Sequence, residues 1–396
     1  MTDHTGRIYA NNAMTSWPKP PGVAEAMVEG LGCTGSARRG SGLDASDADS
    51  LLTRARNRCA SFLGVSDSDN LLFVPSATYG LNLVLSGFLE PGDAVIVARA
   101  EHNAVLRPLH ALSEKGVALA WVPMAPGGYI DLPELEALLS IGADSGQPFK
   151  AVVCRHGSNV SGALQPLEDA VLLAHQYGAV CISDGAQVAG DIDVDLERLE
   201  VDAWVCSGHK GLLGPKGVGL MYLAPHFDLP VTVWGGTGLG DADDLCTDKV
   251  RPTCYEPGTE PLPAILGLEA GIVWLQSNRQ ARERMRALGV ELRERLRAID
   301  GIRVLGPPAP TASGPSPQLP LVPVVCDAIP TAVFGALLAS EYGIITRSGL
   351  HCAPDAAKVL GIYPEGAVRF SLGPFSTAEE VDAIIDAVSA LAGSKR

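Results

Sequence analysis

The sequence predicts an α/β protein, with a large α/β domain followed by a smaller α+β domain. Between Leu71 and Leu223 short runs rich in Val and Ile alternate with longer stretches of helical periodicity, the pattern of an α/β layer fold. Several of those runs are apolar on successive residues, as strands are when helices cover both faces of a parallel sheet. After Gly258 the pattern changes to an apolar helical stretch and then a charged, Arg-rich one.

In chain order, strands are expected at residues 71–74, 94–98, 118–122, 151–154, 179–183, 203–206 and 218–222, which makes a mostly parallel seven-stranded sheet. Helices are expected at 79–87, 103–115, 132–139 and 166–177, the last stopped by Gly178. Beyond Gly258, residues 264–276 read as a packed helix and 279–299 as a half-solvated one. The proline-rich stretch 306–323 reads as a surface loop between two short strands. A helix near 331–342, strands at 343–347 and 368–372, and a helix from Thr377 complete the chain. The division is placed at 16–258 for the large domain and 259–396 for the small one, with residues 1–15 expected to pack with the small domain.

Composition narrows the function. A chain of 396 residues, 46% hydrophobic and 19% charged, can bury a substantial core, which excludes disorder and disulfide-stapled scaffolds. Its 45 acidic against 30 basic residues give a net charge of -15, a surface that repels nucleic acid and anionic lipid. Nine cysteines, an odd and scattered number without metal-ligand spacing, point to reduced thiols, a cytoplasmic protein and no metal. The first residues show no basic-then-apolar leader, and no run of about 18 apolar residues occurs.

The residues suited to chemistry follow expected strands. Ser207-Gly208-His209-Lys210 comes after 203–206, where small residues admit a ligand and a lysine can act as a Schiff-base nucleophile. Asp184 closes 179–183 and Gln187 follows; a carboxylate there can hold a pyridinium nitrogen protonated or cap a turn. Ser76-Ala77-Thr78 opens a helix whose free N–H groups favour phosphate. His102 and Asn159 follow two further strands. His102 can stack or relay protons, although a histidine at a helix start is more often structural. In an α/β sheet, ligands bind outside such strand ends.

Together these residues resemble the class V aminotransferase-fold pyridoxal phosphate (PLP) enzymes, in the cysteine desulfurase and selenocysteine lyase group, on the short-loop branch. The resemblance runs from Tyr9-Ala10-Asn11-Asn12-Ala13 to Arg369-Phe370-Ser371-Leu372. Between them lie Glu101-His102-Asn103, Ser158-Asn159-Val160-Ser161-Gly162, Asp184-Gly185-Ala186-Gln187, Ser207-Gly208-His209-Lys210, Tyr255-Glu256-Pro257-Gly258-Thr259 and Arg347-Ser348-Gly349-Leu350-His351-Cys352-Ala353-Pro354. The chain departs from the family pattern at Asn11, Tyr79, Leu350, Ser376 and the stretch 39–42.

The resemblance implies a PLP-dependent transferase of fold type I that converts L-cysteine to L-alanine, with sulfur held as a persulfide on Cys352. It extends to L-selenocysteine. Lys210, Cys352 and His102 would be catalytic: Lys210 the Schiff-base lysine, Cys352 the nucleophile, His102 the ring-stacking imidazole. Asp184 would face the pyridinium nitrogen and Gln187 the phenolic oxygen, with Asn159 beside cofactor and substrate. Ala77, Thr78, Ser207 and His209 would hold the phosphate, joined by Thr259 of a second subunit in a homodimer. Arg347 and Arg369 would bind substrate, Arg369 by forking onto the α-carboxylate. A separate acceptor protein would take the sulfur. The rival on the same scaffold is a C–S lyase, epimerase or aminotransferase for a larger amino acid. A non-catalytic scaffold or sulfur carrier is the third reading.

Overall fold

The computed structural model describes residues 6–33, 35, 43–238, 250–309, 311 and 317–393. Cys246 and the stretch 39–42 lie outside the described residues. The first half runs β1 (Ile8–Tyr9), α1 (Val23–Gly32), α2 (Leu43–Phe62), β2 (Leu71–Val74), α3 (Ala77–Phe88), β3 (Ala94–Ala98), α4 (Asn103–Ser113), β4 (Ala118–Val122), β5 (Met124–Ala125), β6 (Tyr129–Ile130), α5 (Leu132–Asp144), β7 (Ala151–Val153), α6 (Leu167–Gln176), β8 (Val180–Asp184), β9 (Ala203–Ser207) and β10 (Gly219–Leu223). The second half runs α7 (Leu262–Ser277), α8 (Arg279–Arg297), β11 (Ile302–Val304), β12 (Leu321–Cys326), α9 (Thr331–Tyr342), β13 (Ile344–Ile345), β14 (Arg347–Gly349), α10 (Pro354–Val359), β15 (Ala367–Ser371) and α11 (Ala378–Gly393).

Seven strands form one sheet in the order β2-β10-β9-β8-β7-β3-β4, parallel except for β10, which is antiparallel to both neighbours. β2, β7, β9 and β10 are buried at every residue, which is why their sequences are apolar without alternation. Chain order reverses between β3 and β7, since β3 leads outward to β4 while β7 leads back through β8 to β9. A ligand crevice is expected outside the strand ends at such a switch point. Local caps set where the helices after these strands begin: Ser76 Oγ accepts the Tyr79 N–H at α3, and Asp131 Oδ1 accepts the Glu134 N–H at α5.

A second sheet, antiparallel in the order β11-β12-β15-β14, has its own core with α8, α9 and α11. β1 pairs in parallel with β13, and Ala10 joins this smaller core. The larger core continues past Gly258, because Leu262, Ile265, Leu266, Leu268 and Ile272 of α7 belong to it. The single strand expected at 343–347 is two short ones. Gly343 ends α9 with φ 66°, then β13 pairs with β1 while β14 pairs with β15, so the chain changes partners at Thr346. The helices α1 and α2, which pack on α7, had no counterpart in the sequence reading.

Candidate active site

The sheet brings the sequence-singled residues to one end. His102 follows β3, Asn159 follows β7, Asp184 ends β8, Ser207 ends β9 and Lys210 sits in the turn beyond it. Asp184 is buried, and its Oδ1 accepts the Ala186 N–H at 2.9 Å, so the turn-capping role coexists with a carboxylate at the strand end. Gly185 next to it permits this turn to lie on Trp204, where a Cβ would sit 1.9 Å from the indole.

Burial pushes Lys210 down from its ordinary 10.5 to about 8, against the opposing pull of Asp184; Arg369, Arg347 and Arg155 add to the lowering. His102 caps α4, with Nδ1 accepting the Ala104 N–H at 3.0 Å, which leaves the neutral ring's proton on Nε2. Burial lowers His102 to about 4. A neutral imidazole at this strand end can lie against an aromatic ring without introducing a charge.

Beside it, the start of α3 packs against the ends of β9 and β10. Gly219 of β10 pairs with Ser207, and a Cβ on Gly219 would lie 3.5 Å from the Ala77 N atom at the start of α3 and 2.5 Å from the Cys206 carbonyl oxygen. Ser207 and Ala77 are buried there, while Thr78 is exposed. His209, pushed down to about 4 by burial, has a buried Nδ1 with no partner. Its carbonyl gathers hydrogen bonds from Ser16 N, Ser16 Oγ, Thr15 Oγ1 and Lys19 Nζ. Gln187 Nε2 donates to Ala13 O at 3.0 Å, so the chain's first segment lines the same region.

The smaller sheet contributes Arg369 and Arg347. Arg369 on β15 is fully buried and donates from Nη1 to Asn159 O at 2.9 Å, while its Nε and Nη2 have no partner. Burial, aided by Arg347, pushes it down to about 9. Arg347 on β14 stands opposite Arg369 in register and donates from Nη2 to Cys352 Sγ at 3.0 Å. His351 and Cys352 both have positive φ, 52° and 60°, an uncommon backbone for residues with side chains. Asn103 N donates to Cys352 O at 2.8 Å, which fastens this loop to the helix that His102 caps.

Thr259 is exposed and lines a groove with Pro75 and Tyr79. Of the departures, Asn11 has a buried Oδ1 without a partner, and Ser376 Oγ accepts the Gly373 N–H. The buried cysteines Cys154, Cys181 and Cys206 belong to the larger core. Sequence reasoning gave no role to Arg155. Its Nη1 donates to Asn159 Oδ1 at 2.6 Å, and its signal was a charged residue at the end of an apolar run.

The aminotransferase class-V family model matches residues 8–384. A probable cysteine desulfurase of Vibrio cholerae is 31% identical over 392 residues, covering 96% of this chain and 92% of that protein. The crystal structure of the Escherichia coli cysteine desulfurase CsdA, 27% identical, superposes with a TM-score of 0.84 over 97% of this chain and 94% of that one. An apo cysteine desulfurase from Thermococcus onnurineus NA1, also 27% identical, gives a TM-score of 0.87 over 98% and 94%. With the family model spanning both sheets, this chain belongs to the class-V aminotransferase family.

Proposed function

We propose that the chain is a PLP-dependent cysteine desulfurase that converts L-cysteine to L-alanine and holds the sulfur as a persulfide on Cys352. The single observation that carries this reading is the Cys352 thiol: half-exposed, 3.0 Å from the Arg347 guanidinium and tied to the start of α4. The Arg347 guanidinium fixes where the Cys352 sulfur sits, on a half-exposed loop from which it can reach a substrate.

The residues present suit PLP. The unpartnered His209 Nδ1, the Ser207 hydroxyl and the Ala77–Thr78 turn form a cradle for phosphate. His102, Asp184, Gln187, Asn159 and Lys210 would surround the ring, and Thr259 of a second subunit would complete the phosphate site in a homodimer. When bound, the cofactor supplies an electron sink at the substrate's α-carbon.

The chain's own groups do the rest. Burial lowers Lys210 to about 8, close enough to neutral pH for its amine to take a proton and return it. The two free nitrogens of Arg369 present a fork to a substrate carboxylate. The Cys352 thiolate attacks the substrate sulfur; the S–S bond forms as the Cβ–S bond breaks, and the carbon fragment gains a proton to leave as alanine. In sum, two thiols become one persulfide and one C–H bond, so no external oxidant is needed. A sulfur-acceptor protein would then discharge Cys352. The free described cysteines favour a cytoplasmic setting.

The test is alanine formation from L-cysteine and from L-selenocysteine by the PLP-loaded protein and by Cys352→Ala. Alanine from cysteine that disappears in the variant supports the reading. Alanine from selenocysteine alone, surviving the substitution, makes the protein a lyase. No alanine from either transfers the assignment to a larger substrate.

A further inference from the structure

One buried arginine stands behind the site without a place in the chemistry above. Arg155 follows β7 and is 2% exposed. Its backbone N–H donates to Glu101 Oε1 at 2.7 Å, and its Nε lies 3.9 Å from Glu101 Oε2. Its Nη1 donates to Asn159 Oδ1 at 2.6 Å, and Asn159 Nδ2 donates in turn to His351 O at 2.6 Å. Arginine can only donate and a carbonyl can only accept, so the Asn159 amide has one permitted orientation. A line of hydrogen bonds therefore runs from Glu101, beside His102, to the carbonyl immediately before Cys352.

That line ends where the backbone needs restraint. His351 and Cys352 hold left-handed φ values, which cost free energy and persist only when neighbours fix them. His351 Nε2 lies 3.0 Å from Ala367 O, and Asn103 N holds Cys352 O. The Leu350 carbonyl accepts the Ala353 N–H at 3.1 Å across the turn, and the Asn159 amide adds a tie from outside it whose orientation depends on Arg155.

Building on the desulfurase reading, we infer that Arg155 is a positioning residue: through Asn159 it holds the 351–352 backbone so that the Cys352 thiol meets both Arg347 and the substrate sulfur. The guanidinium makes one hydrogen bond to Asn159, so a lysine can substitute for it, whereas an apolar side chain cannot. An unpaired Glu101 would confuse the result, because burial already pushes that carboxyl up to about 7. The informative variant is therefore Arg155→Met combined with Glu101→Gln, set beside Arg155→Lys.

Two readings are taken: kcat and KM for L-cysteine with the PLP-loaded enzyme, and the rate of Cys352 alkylation by iodoacetamide in the cofactor-free protein, followed by peptide mass spectrometry. The double variant is expected to lose about 10- to 100-fold in kcat with KM little changed, as misplacement of a reacting group by about an ångström does. Its Cys352 alkylation rate should change about fivefold as the 351–352 backbone loosens and the exposure of the thiol changes, and Arg155→Lys should restore both readings. Wild-type kcat and alkylation in the double variant overturn the inference, as does a rise in KM alone. If the double variant does not fold, Arg155→Gln, too short to reach Asn159, is judged by the same readings. Absence of alanine from the wild-type enzyme would defeat the desulfurase reading, while the alkylation comparison would still decide the role of Arg155.

Discussion

Arg347 and Cys352, five residues apart, meet with guanidinium nitrogen and sulfur 3.0 Å apart because the left-handed turn at 351–352 folds the chain back after β14. The contact makes a direct prediction. Arg347→Met should lower kcat for L-cysteine about 10- to 100-fold, since the contact that places the Cys352 sulfur is lost. Steady-state kinetics of the two proteins checks it; an unchanged kcat would show that the guanidinium does not position the thiol.

Arg369 carries the clearest prediction about substrate. It is buried, its Nη1 is committed to Asn159 O, and its Nε and Nη2 are unpartnered. An ammonium cannot reproduce two parallel donors, so Arg369→Lys should raise KM for L-cysteine roughly 10- to 100-fold with a smaller change in kcat. Steady-state kinetics on the two proteins decides this, and an unchanged KM would remove Arg369 from carboxylate binding.

The lowered pKa of Lys210 makes a prediction about the cofactor-free protein. The unfolded chain keeps this proton up to about 10.5, whereas the folded chain releases it near 8. Between those values the unfolded state binds more protons, so stability rises with pH. Below about pH 8 the full penalty applies. Lys210→Met should therefore be more stable than wild type at pH 7, on the order of 1–3 kcal/mol, and this advantage should shrink as pH approaches 10. Urea unfolding at pH 7 and pH 9.5 measures it; a pH-independent difference would mean that Lys210 is not desolvated.

The sheet was legible because fully buried strands leave unbroken apolar runs, and all seven strands lie within a residue of their expected places. The strand-end residues were legible because the chain itself places them next to those runs. What escaped depends on contacts far apart in sequence. Arg155 looks like any charge after a strand until Asn159 and Glu101 are seen on either side of it. α2 opens with a polar, Asp-rich stretch, so its helix is evident only from its packing on α7. The division of 343–349 between two sheets follows from β1 and β15 competing for neighbouring residues, which no local pattern encodes.

The last prediction concerns a buried ion pair that anchors α2. Arg56 Nη1 and Nη2 each meet a Glu256 carboxylate oxygen at 2.7 Å, with both side chains almost fully buried. The same carboxylate accepts the Phe73 N–H at 2.7 Å, and Arg56 also donates to Leu71 O, so the pair fastens both α2 and the 253–256 segment to β2. Removing one partner strands a charge in a low-dielectric interior, so Arg56→Met alone should cost about 3–5 kcal/mol. Adding Glu256→Gln removes the stranded charge and keeps an oxygen for the Phe73 N–H, so the double variant should recover a large part of that loss. Urea titrations of the three proteins test the argument: a double variant no more stable than Arg56→Met would show that the guanidinium's contact with Leu71 O, and not charge pairing, carries the anchor.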